Sequence, residues 1–100
     1  MTNMYDYIAE YIPETTCIKK KENNDFLIVM SEQTEIFYLN DTAKFIYENI
    51  DGKRSIKEIL ELIKQEYDVS NLDDNLLKKD LIEMVRDFQW QRIIKLKEAY

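Results

Sequence analysis

The chain has no histidine, and only one cysteine, one glycine and one proline in its 100 residues. Without histidine it lacks the commonest general base near neutral pH and the commonest metal ligand. The lone Cys17 excludes an intramolecular disulfide and a cysteine-spaced zinc site. It fits a reducing compartment, and the expected location is the cytoplasm. A single glycine excludes a Gly-rich phosphate loop. No apolar run approaches the ~20 residues of a membrane helix, so no membrane association is expected. The first residues, Met1-Thr2-Asn3-Met4-Tyr5-Asp6, lack the basic and apolar regions of a secretory signal. Positive charge is also scarce. Lys and Arg number 14 against 20 Asp and Glu, for a net charge of −6, which argues against a nucleic-acid partner. No Pro, Gly or Ser cluster marks a linker, so residues 1–100 are expected to form a single domain.

What is present is patterned. Hydrophobic residues make up 45%, enough for one modest core. The period changes near residue 40, from strand-like to helix-like. Residues 1–14 form an N-terminal arm or a short helix: Tyr5, Ile8, Tyr11 and Ile12 have rough helical spacing, and Pro13 ends the element. Residues 15–39 read as a three-stranded antiparallel sheet, with strands at 16–22, 25–30 and 35–39. Asn23-Asn24 supplies the first turn and Ser31-Glu32-Gln33-Thr34 the second. Residues 40–96 read as three helices and an apolar tail. Asn40 caps the first helix, whose stripe is Ala43, Ile46, Tyr47 and Ile50, and Asp51-Gly52 closes it. Ser55-Ile56-Lys57-Glu58 is a capping box for the second helix, with stripe Ile56, Ile59, Leu60, Ile63 and Tyr67. Residues 68–72 are a loop. Asp73 or Asp74 caps the third helix, which carries Leu77, Leu81, Met84, Val85 and Phe88 and frays near Trp90. Residues 92–96 are a strand or a packed coil. The expected fold class is α+β, winged-helix-like, with an N-terminal three-stranded sheet followed by three helices.

Candidate chemistry is sparse. Asp41, Asp73 and Asp74 stand at helix starts, where a carboxylate serves as a cap rather than a catalytic acid. Cys17 has no base beside it. No catalytic residue, metal site or cofactor is expected, and the chain is not expected to be an enzyme. Lys19-Lys20-Lys21 reads as a solvated strand that charge protects from edge pairing; contact with an acidic partner is the alternative. Tyr5, Tyr7 and Tyr11 read as packing over a core edge, with self-association as the functional alternative, so a homodimer stays open.

The ordered set Leu39-Asn40, an amphipathic helix, Asp51-Gly52, Ser55-Ile56-Lys57-Glu58-Ile59, Tyr67, Asp80-Leu81, Met84-Val85, Phe88 and Ile93-Ile94 resembles the PqqD family over about residues 11–96. These are also called RiPP recognition elements, the leader-peptide-binding domains of ribosomal peptide modification systems. One departure stands out: the family often has a glycine before its final apolar pair, where this chain has Arg92. The resemblance implies three strands and three helices in a winged-helix-like arrangement. It implies that the domain binds the leader segment of a precursor peptide and presents the core segment to a separate modifying enzyme, often a radical S-adenosylmethionine enzyme. The domain itself would do no chemistry.

In that family the third strand and third helix are the two walls of the peptide groove, and the leader adds as a strand to the sheet edge. Carried onto this sequence, the peptide-binding candidates are Glu35, Ile36, Phe37 and Tyr38 on the strand, and Lys78, Lys79, Ile82, Val85 and Arg86 on the helix. Ile36 and Tyr38 share one strand face and are the groove candidates, while Phe37 and Leu39 share the other and join the core. On the helix, Leu77, Leu81, Val85 and Phe88 form the core face, with Val85 at its border. Ile82 lies among polar neighbours on the flank, with no evident core role. The main rival is a winged-helix DNA-binding regulator, but residues 73–90 carry five acids and three bases, a net of −2 that would repel phosphates. A non-catalytic protein-interaction subunit is the other alternative.

Overall fold

The structure is a computed structural model that describes residues 4–23, 25–67 and 73–98. Its order is α1 (Met4–Ile8), β1 (Ile12–Thr15), β2 (Lys19–Glu22), β3 (Phe26–Met30), β4 (Ile36–Asn40), α2 (Asp41–Glu48), α3 (Ile56–Glu66), α4 (Asp74–Trp90) and β5 (Ile94–Lys97). Among the described residues the class is α+β, with four helices and two antiparallel sheets. The expected sheet-then-helices order is therefore incomplete. A helix comes first, and the strands are divided between a sheet β2-β3-β4 and a two-stranded sheet β1-β5.

The β2-β3-β4 meander follows from alternation along β3. Leu27 and Val29 point inward and are buried, while Phe26, Ile28 and Met30 point outward and are half-buried. Val29 pairs with Phe37 and Leu27 with Leu39, which places these on the inner face; Ile28 pairs with Tyr38 and Met30 with Ile36, which places these outside. In the first turn the Asn23 side chain accepts from the N–H of Asp25 and of Phe26 at 3.0 and 2.8 Å. Asn24, the other half of the expected turn, lies outside the described residues, as does the loop 68–72. In the second turn the buried Ser31 hydroxyl accepts from the N–H of Gln33 and of Glu35, both at 3.2 Å.

The N-terminal residues form both a helix and a strand. Pro13 does not end an element but sits inside β1, opposite Leu96 of β5. Among the described residues β1 has β5 as its one neighbour, so a strand position without an N–H is tolerated. The segment between α1 and β1 also serves α3. The carbonyls of Tyr11 and Ala9 accept from the first two N–H groups of α3, those of Ile56 and Lys57, each at 2.9 Å. These are donors that a helix cannot satisfy internally.

Helix starts are largely as expected. Ser55 and Glu58 form the reciprocal box: Glu58 N–H donates to Ser55 Oγ at 3.2 Å and Ser55 N–H donates to Glu58 Oε1 at 3.0 Å. Asp73 accepts from Asn75 N–H at 2.9 Å. Asn40 stands at the N-cap of α2 but makes no side-chain cap bond there, and Asp41 has a φ of +45°. Gly52 does not close α2, which ends at Glu48 with Asn49 as its cap. Gly52 lies three residues past that cap, at φ +76°, in a turn organised by Asp51 Oδ1, which accepts from Lys53 and Arg54 N–H at 2.9 Å each.

The exit from α4 explains the missing glycine. Arg92 has a φ of +61°. Its N–H donates to Gln89 O and the N–H of Ile93 donates to Phe88 O, both at 3.0 Å. These two bonds are the paired closure of a Schellman motif, whose left-handed position is usually glycine. The turn sends the buried Ile93 back under the helices. Its carbonyl accepts from Thr16 N–H at 3.0 Å and from the buried Tyr47 hydroxyl at 2.8 Å. The residues 92–96 thus resolve as a tight turn, a buried Ile93 and the strand β5.

Two substitutions test these terminals. Arg92→Gly should raise unfolding free energy by up to about 1 kcal/mol, because the left-handed position then carries no Cβ. Ser55→Ala should lower it by about 1 kcal/mol. Urea denaturation followed by circular dichroism measures both; a destabilised Arg92→Gly would show that the Arg92 side chain matters more than its backbone.

Candidate functional site

The two edges of the larger sheet differ in chemistry. β2 is one edge and carries Lys19, Lys20 and Lys21, all exposed. No salt bridge among the described residues involves them. Lysines along an edge discourage pairing with another strand. β4 is the other edge, with β3 as its one partner among the described residues. It has no lysine, and Ile36 and Tyr38 are 53% and 65% exposed. Glu35, just before it, is exposed. Phe37 is half-buried against the core. The face assignment drawn from strand alternation, Ile36 and Tyr38 out with Phe37 and Leu39 in, is the one in the structure.

On α4, Lys78, Lys79, Ile82 and Arg86 line a cleft of about 400 Å³ together with Tyr5, Asn75 and Glu83. Ile82 is 5% exposed and Val85 1%. Both belong to the hydrophobic core. The expected lack of a core role for Ile82 is therefore corrected: the contact between α1 and α4 widens the buried face of α4 beyond the single stripe that spacing shows. Ile82 still forms part of the cleft lining.

The sequence-derived candidates fall into two groups. Lys78, Lys79, Ile82 and Arg86 share the cleft beside α1 while Val85 lies in the core and not in its lining, and Ile36 lines a separate recess of about 360 Å³ on the outer sheet face with Lys19, Lys20, Lys21, Ile28 and Met30. Tyr5 is the cleft residue that spacing on α4 cannot reveal. It is buried, as its packing role implied, and Lys78 Nζ sits 5.0 Å from its ring centre. Burial raises the Tyr5 hydroxyl pKa, with Lys78 opposing it. Tyr7 is exposed and Tyr11 half-buried. Trp90, 88% exposed at the end of α4, lies with Glu83, Arg86 and Asp87 around another recess.

Charge on α4 is organised from its first turn. Asp74 accepts from Lys64 of α3 at 2.6 Å and from Lys78 at 3.2 Å. Lys79 and Arg86 are exposed and enter no salt bridge among the described residues. Among those residues no group of three or more His, Cys, Asp or Glu side chains is placed to hold a metal ion, and no helix is long and apolar enough to cross a membrane.

β4 thus presents an antiparallel edge with no charged residue within the strand, an edge open to pairing with a further strand. Residues 26–94, from the start of β3 to the start of β5, match the family model of coenzyme PQQ synthesis protein D (PqqD). The chain belongs to the PqqD family, the family of RiPP recognition elements. Its members are accessory proteins of PQQ and ribosomal-peptide biosynthesis. No curated protein and no solved structure shows a significant match to the chain. The elements α1, β1 and β2 precede the matched range.

The aspartates give a pH prediction. Hydrogen bonds from Lys64 and then Lys78 hold the Asp74 carboxyl below its ordinary 3.8, and the backbone N–H groups of Arg54 and Lys53 do the same for Asp51. A carboxyl whose folded pKa is depressed stabilises the fold above its unfolded value and loses that contribution as pH falls through the lower folded value. Stability should therefore be flat above about pH 5 and decline below about pH 4. Asp74→Asn should shrink that decline in a denaturation series across pH; an unchanged slope would mean the Lys64 and Lys78 contacts are not formed in solution.

Proposed function

We propose that this chain binds the leader segment of a ribosomally made precursor peptide and presents the attached core segment to a separate modifying enzyme. The leader adds as a strand to the free edge of β4, in a winged-helix-like domain that does no chemistry itself. The observation that carries this is the asymmetry of the sheet edges: lysines guard β2, and β4 has an unguarded edge with apolar residues on both faces. Membership of the PqqD family supports peptide binding in general.

In this mode main-chain bonds to residues 35–38 supply affinity, and side-chain contacts supply selectivity. Alternate leader residues lie beside Ile36 and Tyr38 on the outer face, and the intervening ones turn toward Phe37. The cleft on α4 is a second contact for the leader, where Ile82 adds apolar lining and Lys78, Lys79 and Arg86 favour acidic leader residues; Val85 supports it from the core. The partners are then the leader peptide and a modifying enzyme, a radical S-adenosylmethionine enzyme being the type common for this family. The acids on α4 disfavour the DNA-binding alternative.

Proline scanning of β4 tests strand addition. Consecutive strand N–H groups point to opposite edges, so of Ile36→Pro and Phe37→Pro one removes an N–H aimed at the free edge and the other an N–H bonded to β3. The first should leave the fold intact and weaken leader binding by about tenfold or more. The readout is calorimetric titration with a synthetic leader, whose sequence is taken from the peptide that co-purifies with the chain. Full affinity in both folded variants would remove strand addition at β4.

A further inference from the structure

The outer face of the β2-β3-β4 sheet is apolar where an antiparallel sheet facing water is normally polar. Its outward positions form three rows: Lys19–Met30–Ile36, Lys21–Ile28–Tyr38, and Phe26 beside Asn40. Phe26 and Tyr38 pack edge to face at 6.0 Å, so the five apolar side chains are continuous. No described element covers them: Ile36 and Tyr38 remain more than half exposed. A contiguous apolar patch of this kind marks a contact surface.

We propose that this face is the contact of a weak homodimer, in which two copies pack their sheets face to face about a two-fold axis along β3. The chemistry of the face is self-complementary about that axis. One side of β3 carries cations, Lys19 and Lys21, and the other carries Ile36 and Tyr38. A two-fold axis along β3 keeps each row level and exchanges its ends. Lys21 of one copy then lies over the Tyr38 ring of the other, a cation–π contact, and the Lys19 stem covers Ile36. Phe26, Ile28 and Met30 meet their own counterparts at the centre, at the ~10 Å spacing of stacked sheets. The contact is made twice, as an isologous interface requires. A two-fold axis across the strands would instead oppose lysine with lysine.

A partner of another kind fits less well. An acidic protein would answer the lysines but not the aromatic side of the face. An anionic membrane would be repelled by the net charge of −6. Against a second copy that charge is less of an obstacle, because the outward positions of the three strands carry no carboxylate. The face is about 15 Å on a side. Two such faces cover roughly 450 Å², below the size of stable interfaces, so only a weak, transient dimer is expected, with dissociation in the high-micromolar range or above.

Sedimentation equilibrium of the whole chain, from tens of micromolar to about 1 mM, reads this directly. A monomer–dimer equilibrium is expected. Raising salt from about 50 to about 500 mM should strengthen it, since no ion pair crosses the interface and the net negative charges are screened. Met30→Lys and Lys21→Glu should each weaken the dimer by at least about tenfold, while Lys21→Arg retains it. Circular dichroism establishes that the variants fold, and if Met30→Lys does not, the exposed Lys21 decides. Neither residue is in the peptide-binding set, so leader affinity measured at low micromolar chain, where it is monomeric, should be unchanged, and failure here leaves that function standing. A monomer throughout the range overturns the proposal, as does a dimer indifferent to both variants or weakened by salt. A monomer that sediments with phosphatidylserine vesicles would assign the face to a membrane and also overturn it.

Discussion

One-sided burial along β3 is the constraint on which the rest depends. Leu27 and Val29 are almost wholly buried, and their neighbours in sequence face outward. A slip of one residue would carry both out of the core and bring Ile28 and Met30 in, so the register is held from the inside. With β3 fixed, β4 has no freedom in which residues it shows. Phe37 and Leu39 must face the helices, and Ile36 and Tyr38 must face out. The availability of an edge and the character of the outer face are both consequences of that inner packing.

The second structural device is the clasp that joins the two ends of the chain. The left-handed Arg92 turns the backbone out of α4, Ile93 is buried, and its carbonyl receives Thr16 and Tyr47. β5 then pairs with β1. The Tyr47 ring packs edge-on to Phe88 at 5.5 Å, which ties α2 to the end of α4 at the same place. The clasp holds α4, which lines the cleft shared with Tyr5, against the rest of the core. The larger sheet takes no part in it, and the outer edge of β4 has no paired strand among the described residues.

Much of this was legible from local chemistry. The strand at Phe26–Met30, the capping box at Ser55 and Glu58, and a cap at Asp73 or Asp74, which falls on Asp73, each depend on neighbours within a few residues and appear in the structure. The elements that were not legible depend on distant partners. β1 and β5 are four residues each and lie more than 75 residues apart; β5 alternates, and a strand is one of the two readings of residues 92–96, but β1 shows no such period and nothing local names either strand's partner. Pro13 looked like a stop because proline ends helices; it is a strand residue because its strand has one neighbour. Gly52 looked like a helix stop because Asp-Gly often is one, yet α2 had already ended at Glu48. Ile82 looked unburied because its neighbours on that flank of the helix are polar, and α1 supplies the contact that sequence spacing on α4 cannot contain.

By itself the sequence determined what its residue types forbid and where its short-range signals lie. The missing histidine, the acidic balance and the ordered capping and turn residues narrowed the chain to an α+β domain resembling the PqqD family. The tertiary structure decided how the strands divide between two sheets, which side of α4 is buried, and which apolar residues remain at the surface. The physical reason is range. Caps, turns and alternation are set by groups a few bonds apart, whereas an edge, a cleft or an uncovered face exists only when segments from opposite ends of the chain have packed and left it so.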